Sequence, residues 1–213
     1  RGASLRTVRT AGVGMSEDFV QNQLFRPFST TKHSGMGIGS YESFQYIREL
    51  GGSIAAEHGI PTGFMTMASC LTTGPVTLAG NLAVGNAEVI AATALLQLAY
   101  PGAPVFYAAA QTASDLRTGA YTGGGPEDFL FGAATNVLAD FYNIPLSMGA
   151  FATGAKEQNW QAGLEGALSS FMASIVMSDM LLGCGFLHGS RIWSFAEMMM
   201  DCEIFSIIHK VMQ

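Results

Sequence analysis

Apolar positions in this chain change style along its length. From about residue 60 onward, short apolar runs alternate with longer amphipathic stretches. The runs cover residues 63–68, 104–108, 145–150 and 181–187, and the stretches cover about 79–100, 126–142, 158–177 and 195–212. A short apolar run bounded by turn residues reads as a buried strand, and a long stretch with three- and four-residue spacing reads as a helix. Pro126 suits a first helical position, because its fixed φ fits there and its missing N–H is no loss. The strand–helix unit recurs at about 40 residues, enough for the crossover that parallel strands need. Four such units, with no antiparallel hairpin signal, predict an α/β fold: four βα units of a partial (β/α)8 TIM-type barrel. A doubly wound sheet is the competing arrangement, and the lack of a G-x-G-x-x-G after any strand favours the barrel.

Residues 1–54 follow another pattern. Ser16–Gln23 reads as a short helix with Ser16 as its N-cap. Phe25-Arg26-Pro27-Phe28 is a turn with two aromatic anchors. A glycine-rich loop, Lys32-His33-Ser34-Gly35-Met36-Gly37-Ile38-Gly39, leads into Ser40–Leu50. There Tyr41, Phe44, Ile47 and Leu50 give one apolar helical face, and Gly51-Gly52 ends it. Two domains are expected, 1–54 and 55–213.

Charge sharpens the division. Residues 1–54 hold six Lys/Arg against four Asp/Glu, whereas residues 55–213 hold four against twelve. The larger part lacks the clustered cations that nucleic acid requires. Cys70, Cys184 and Cys202 show no metal-ligand spacing, so no metal site is expected, and an unframed odd number reads as cytoplasmic thiols. The polar N-terminus has no apolar signal-peptide core. Ala79–Tyr100 and Gly166–Leu187 are apolar enough to suggest membrane spans, but Glu88 and Asp179 interrupt them, so buried helices and no membrane are expected.

The glycine loop carries one resemblance. Leu24-Phe25-Arg26-Pro27-Phe28-Ser29-Thr30-Thr31-Lys32, Gly35-x-Gly37-x-Gly39 and Gly12-x-Gly14-Met15 resemble motifs of the α+β ATP-binding domain of sensor histidine kinases. Glycines let backbone N–H groups approach phosphate, and the following helix offers a positive end. The resemblance implies a nucleotide site at Gly12, Gly14, Lys32, Gly35, Gly37 and Gly39. Thr10 stands where the family has its adenine-reading Asp, and the Mg²⁺-binding helix is missing, which implies a vestigial module.

A second resemblance covers residues 57–213. Gly74-Pro75-Val76-Thr77-Leu78-Ala79-Gly80, Asn86-Ala87-Glu88-Val89 and Pro101-Gly102-Ala103-Pro104-Val105 carry it. So do Asp115-Leu116-Arg117-Thr118-Gly119-Ala120, Gly125-Pro126-Glu127, Gln161-Ala162-Gly163 and Asp201-Cys202-Glu203-Ile204. Together they resemble the trimethylamine methyltransferase family, whose members pass a methyl group from a methylated amine to a corrinoid protein. The resemblance implies a (β/α)8 barrel about twice as long as this stretch. It implies no directly bound cofactor, with the cobalamin held by the partner protein. Pyrrolysine, which trimethylamine-specific members carry, does not occur, so the chain resembles the branch acting on quaternary amines such as glycine betaine. Gly154 stands where an acidic residue is expected.

Such a site holds a cationic amine at an open barrel mouth and points one methyl group outward. No catalytic nucleophile is assigned. Aromatic faces suit a methylated ammonium, and the candidates are Phe64, Tyr107, Tyr121, Phe151 and Trp160. Asp115 or Glu127 would offset its charge, Arg117 would hold a betaine carboxylate, and His188 follows the last strand at the same end. The bland reading makes Phe64 and Phe151 core, Glu88 a solvated helix carboxylate and Asp115 with Arg117 a loop pin. An open half-barrel also exposes strand edges, so a homo-oligomer is expected. Against the active methyltransferase stand an inactive truncated or fused fragment and a vestigial nucleotide module.

Overall fold

A computed structural model describes residues 17–23, 26 and 52–213. The nucleotide-loop residues Gly12, Gly14, Lys32, Gly35, Gly37 and Gly39, and the expected helix at 40–50, lie outside the described residues. The described elements are α1 (Glu17–Asn22), α2 (Gly52–Glu57), β1 (Met65–Thr66), β2 (Ser69–Cys70), α3 (Leu78–Ala99), β3 (Tyr107–Ala109) and β4 (Thr112–Ala113). They continue with α4 (Pro126–Tyr142), β5 (Leu146–Gly149), α5 (Trp160–Ile175), β6 (Met180–Leu182), β7 (Phe186–Leu187), β8 (Ile192–Trp193) and α6 (Phe195–Met212). Helix α2 was not expected, and it crosses the boundary expected at 54/55.

Strands β1, β3, β5 and β6 form one sheet in that order, all parallel. Strand neighbours therefore follow chain order, without the reversal that marks the switch point of a doubly wound sheet. Four strands do not by themselves close a barrel. The β1–β3 ladder continues past a short break into the parallel pair β2–β4, with Ala110 N–H donating to Thr66 O at 2.8 Å and Ser114 N–H to Cys70 O at 3.3 Å. Two expectations fail at the last strand. The run at 181–187 is not one strand: β6 ends at Leu182, Gly183 and Gly185 turn at φ +116° and +86°, and Phe186 starts anew. Phe186 opens an antiparallel hairpin, β7–β8, for which the sequence pattern held no signal.

Side chains alternate across the sheet. Tyr107, Ala109, Leu146 and Met148 join the buried core with Val89 of α3, Ala139 of α4 and Ala173 of α5, so this face carries the helices. Met65, Ala108, Ser147 and Met180 share the opposite face, as the strand register requires. Helix starts are set by side chains. Thr77 Oγ accepts from Gly80 N–H at 3.1 Å, Asn159 Oδ1 from Ala162 N–H at 3.2 Å, and Ser194 Oγ from Glu197 N–H at 3.4 Å. Each such cap satisfies a backbone donor the helix leaves unpaired, worth about 1 kcal/mol.

Helix α3 is long and apolar enough, by length and composition, to cross a membrane. It lies against the sheet, with Asn81, Gly85, Val89 and Leu96 buried and Glu88 exposed. The second apolar stretch, 166–187, is not one helix, because α5 ends at Ile175 and β6 follows.

Candidate functional site

The carboxyl ends of the parallel strands feed three loops, and these loops are laced together. His188 N–H donates to Ala155 O at 2.7 Å, and Gly189 N–H donates to Thr153 O at 2.9 Å. Gly124, at φ +81°, sits so close to the next loop that an added Cβ would lie 2.6 Å from Ala152 O. No side chain fits there, which explains the glycine at that position.

Two carboxylates hold these loops. Asp128, in the first turn of α4, accepts from Thr112 Oγ1 and from Gly124 N–H, the latter at 2.7 Å. Gly125 is the N-cap of α4 and has no side chain to cap with, so an acid three residues on reaches back instead. Burial pushes the Asp128 carboxyl up to about 6, against the lowering effect of these hydrogen bonds. The Tyr121 hydroxyl is pushed up to about 12, by burial first and then by the Asp128 charge. Glu165 of α5 does the same work for the next loop. Its Oε2 accepts from Thr153 Oγ1 at 2.7 Å and from Gly154 N–H at 2.8 Å, and its Oε1 accepts from Gln161 Nε2 at 2.9 Å. Thus Gly154, where an acid was expected, receives a carboxylate from the helix beside it.

Behind these loops lies a cavity of about 40 Å³ whose lining includes Gln111, Tyr121, Asp128, Phe131 and Met148. Both polar atoms of the Gln111 amide are buried without a partner. A space of this size holds about one water, and a water there would give Gln111 the partner it lacks. It is too small for a quaternary ammonium.

The residues singled out from sequence do not form one cluster. Tyr107 is fully buried on the helix side of the sheet. Its hydroxyl donates to Asn86 Oδ1 at 2.9 Å, Asn86 Nδ2 donates to the Tyr142 hydroxyl at 3.0 Å, and the two rings stack at 6.4 Å. Its expected place at the barrel mouth is corrected: strand alternation turns it toward α3 and α4. Burial first, then Tyr142, pushes its hydroxyl up to about 12. Asp115 and Arg117 do meet. Arg117 N–H donates to Asp115 Oδ1 at 2.8 Å and the side chains pair at 3.5 Å, the Arg117 side chain being 91% exposed. That backbone N–H is the leading reason the Asp115 carboxyl lies below its usual value.

Glu127 is half-buried in the first turn of α4, beside Asp128. His188 is half-buried in the β7–β8 turn at φ +53°, a left-handed conformation uncommon outside glycine. Among the aromatic candidates, Phe151 belongs to the core and is likewise left-handed at φ +55°, Trp160 is exposed, and Tyr121 reaches the loop cluster. The sequence reading missed Asp128, Glu165, Thr112 and Thr153. The missing N-cap side chain at Gly125 was the one available signal for Asp128. Among the described residues, no group of three or more His, Cys, Asp or Glu is arranged to hold a metal ion.

The model of the trimethylamine methyltransferase family, MTTB, matches residues 53–213. The chain belongs to the trimethylamine methyltransferase family. Trimethylamine methyltransferase MttB of Methanosarcina barkeri is 35% identical over 158 residues, which is 74% of this chain and 32% of that protein. Trimethylamine methyltransferase MttB of Desulfitobacterium hafniense strain DSM 10664 / DCB-2 is 32% identical over 155 residues, covering 73% of this chain and 31% of the relative. The glycine betaine methyltransferase of D. hafniense strain Y51 is 34% identical over 170 residues, 78% of this chain and 36% of the relative. The chain thus spans about a third of the length of these relatives. The loops tied by Asp128 and Glu165 lie within the family match. The nucleotide-loop resemblance lies outside it, apart from residues 53 and 54, and gains no support from it.

Proposed function

We propose that this chain takes part in methyl transfer from a methylated amine, trimethylamine or a quaternary amine such as glycine betaine, to a cobalamin-bearing corrinoid protein. The family match over residues 53–213 carries this reading. Four parallel strands in chain order support assigning them to a (β/α)8 barrel, whose ligands sit at the strands' carboxyl ends. The chain's own task is to orient the amine and exclude water from the leaving methyl, since the attacking group belongs to the partner. In this reading the loops held by Asp128 and Glu165 form the rim that receives the amine, and Asp115 and Glu127 supply negative charge near it. Arg117, with its guanidinium exposed beside Asp115, holds the carboxylate of a betaine.

The test mixes the chain with a reduced corrinoid protein and either amine, and follows Co(I) to methyl-Co(III) by absorbance. Methyl-cobalt formation is the expected result. Arg117→Ala should lower the rate with glycine betaine about tenfold or more, as loss of a charge-assisted pair implies, and leave trimethylamine little changed. Equal losses remove Arg117 from the carboxylate role. No conversion with either amine sinks the reading and leaves the inactive fragment in its place.

A further inference from the structure

Between the end of α5, strand β6 and helix α6 runs an open cleft of about 940 Å³, apart from the loop rim. Its lining brings together Cys184, in the turn after β6, and Cys202, on α6. Cys184 Sγ donates to Met198 O at 3.6 Å, which sets it against α6 one helical turn before Cys202. Both cysteines are free, Cys202 is exposed and Cys184 half-buried, whereas Cys70 is buried in β2. Two free cysteines, one of them open to solvent, thus line one cleft.

We propose that Cys184 and Cys202 form a reversible dithiol–disulfide site that reacts with small-molecule disulfides entering this cleft. The exposed Cys202 attacks first. Its thiolate sulfur bonds to one sulfur of the small disulfide, that S–S bond breaks, and one small thiolate leaves. Cys184 then gives up its proton and attacks the Cys202 sulfur, releasing the second small thiolate. Two protein thiols are oxidised, one small disulfide is reduced to two thiols, and the two protons end on the departing sulfurs. Burial first, and then the charges of Asp201 and Cys202, push the Cys184 thiol up to about 11, so Cys184 stays protonated while Cys202 attacks, and its own attack is the slower step. The product ties the turn after β6 to the middle of α6 across the cleft wall.

The test exposes the reduced chain, under native conditions, to oxidised glutathione. Remaining thiols are then blocked with an alkylating agent, and the chain is digested without reductant and read by mass spectrometry. A peptide joining Cys184 to Cys202 is expected, reversed by dithiothreitol, with Cys70 still alkylated. Cys184→Ser should stop at a glutathione adduct on Cys202, and Cys202→Ser should leave Cys184 alkylated. Three outcomes overturn the proposal: wild type accumulating the same adduct as Cys184→Ser, a bond between two chains, or both cysteines remaining alkylated. Wild type alone decides this, so a poorly folding variant does not rescue the idea.

Discussion

Tyr107 shows how much a single side chain's meaning depends on which way its strand faces. A tyrosine on an apolar strand fits an aromatic wall for a methylated ammonium. In the folded chain its ring is core and its hydroxyl belongs to a chain of hydrogen bonds through Asn86 to Tyr142. Tyr107→Phe keeps the ring and removes the donor to Asn86 Oδ1. The expected cost is about 1–2 kcal/mol of stability, from a buried acceptor left without its partner. Urea unfolding measures it, and methyl transfer, if assayed beside it, should be unchanged. A normal unfolding midpoint with impaired transfer would return Tyr107 to the site. Asp115 and Arg117 teach the opposite lesson. Two residues apart in a loop, they were legible as a pair, and the structure joins them through a backbone N–H and an ion pair.

At the scale of elements, apolar runs located α3, α4, α5 and α6 within about two residues, and α4 and α6 end to end. Long amphipathic segments with caps hold enough local information for that. The strand β6 was overextended because the apolar run continues through Gly183-Cys184-Gly185, and composition alone does not report a turn. Gly183 makes the turn possible. Its φ of +116° suits glycine, and an added Cβ would lie 2.4 Å from the Ala150 backbone oxygen. Gly183→Ala should therefore cost about 2–4 kcal/mol, since strain and a clash with backbone arise together. A shift in denaturation midpoint reads this directly, and a loss under about 0.5 kcal/mol would show that the turn relaxes. The hairpin β7–β8 was missed for a related reason. Its strands are two residues each, and its turn uses His188 and Ser190 at positive φ in place of the usual Asn-Gly signal.

For the whole molecule, the described sheet has β1 and β6 at its edges. Apolar side chains lie open near both: Met65 and Met67 on one side, and Met177 and Met180 on the other. Unpaired strand edges beside exposed apolar surface favour association. The chain is therefore expected to dimerise or form larger assemblies, which light scattering at rising concentration would detect. A mass equal to one chain at the highest concentration would contradict this. The sequence by itself determined the α/β class, the parallel strand–helix order and the family, because those depend on local periodicity and on short motifs read in order. Only the tertiary structure decided where the candidate residues sit and what they touch. Tyr107 turned inward because a strand places successive side chains on opposite faces. Asp128 and Glu165 became the posts of the loop rim because chain folding brought Thr112, Gly124, Thr153 and Gly154 to them. Cys184 and Cys202 came to line one cleft because α6 packs against the turn after β6, which their spacing in the sequence did not signal.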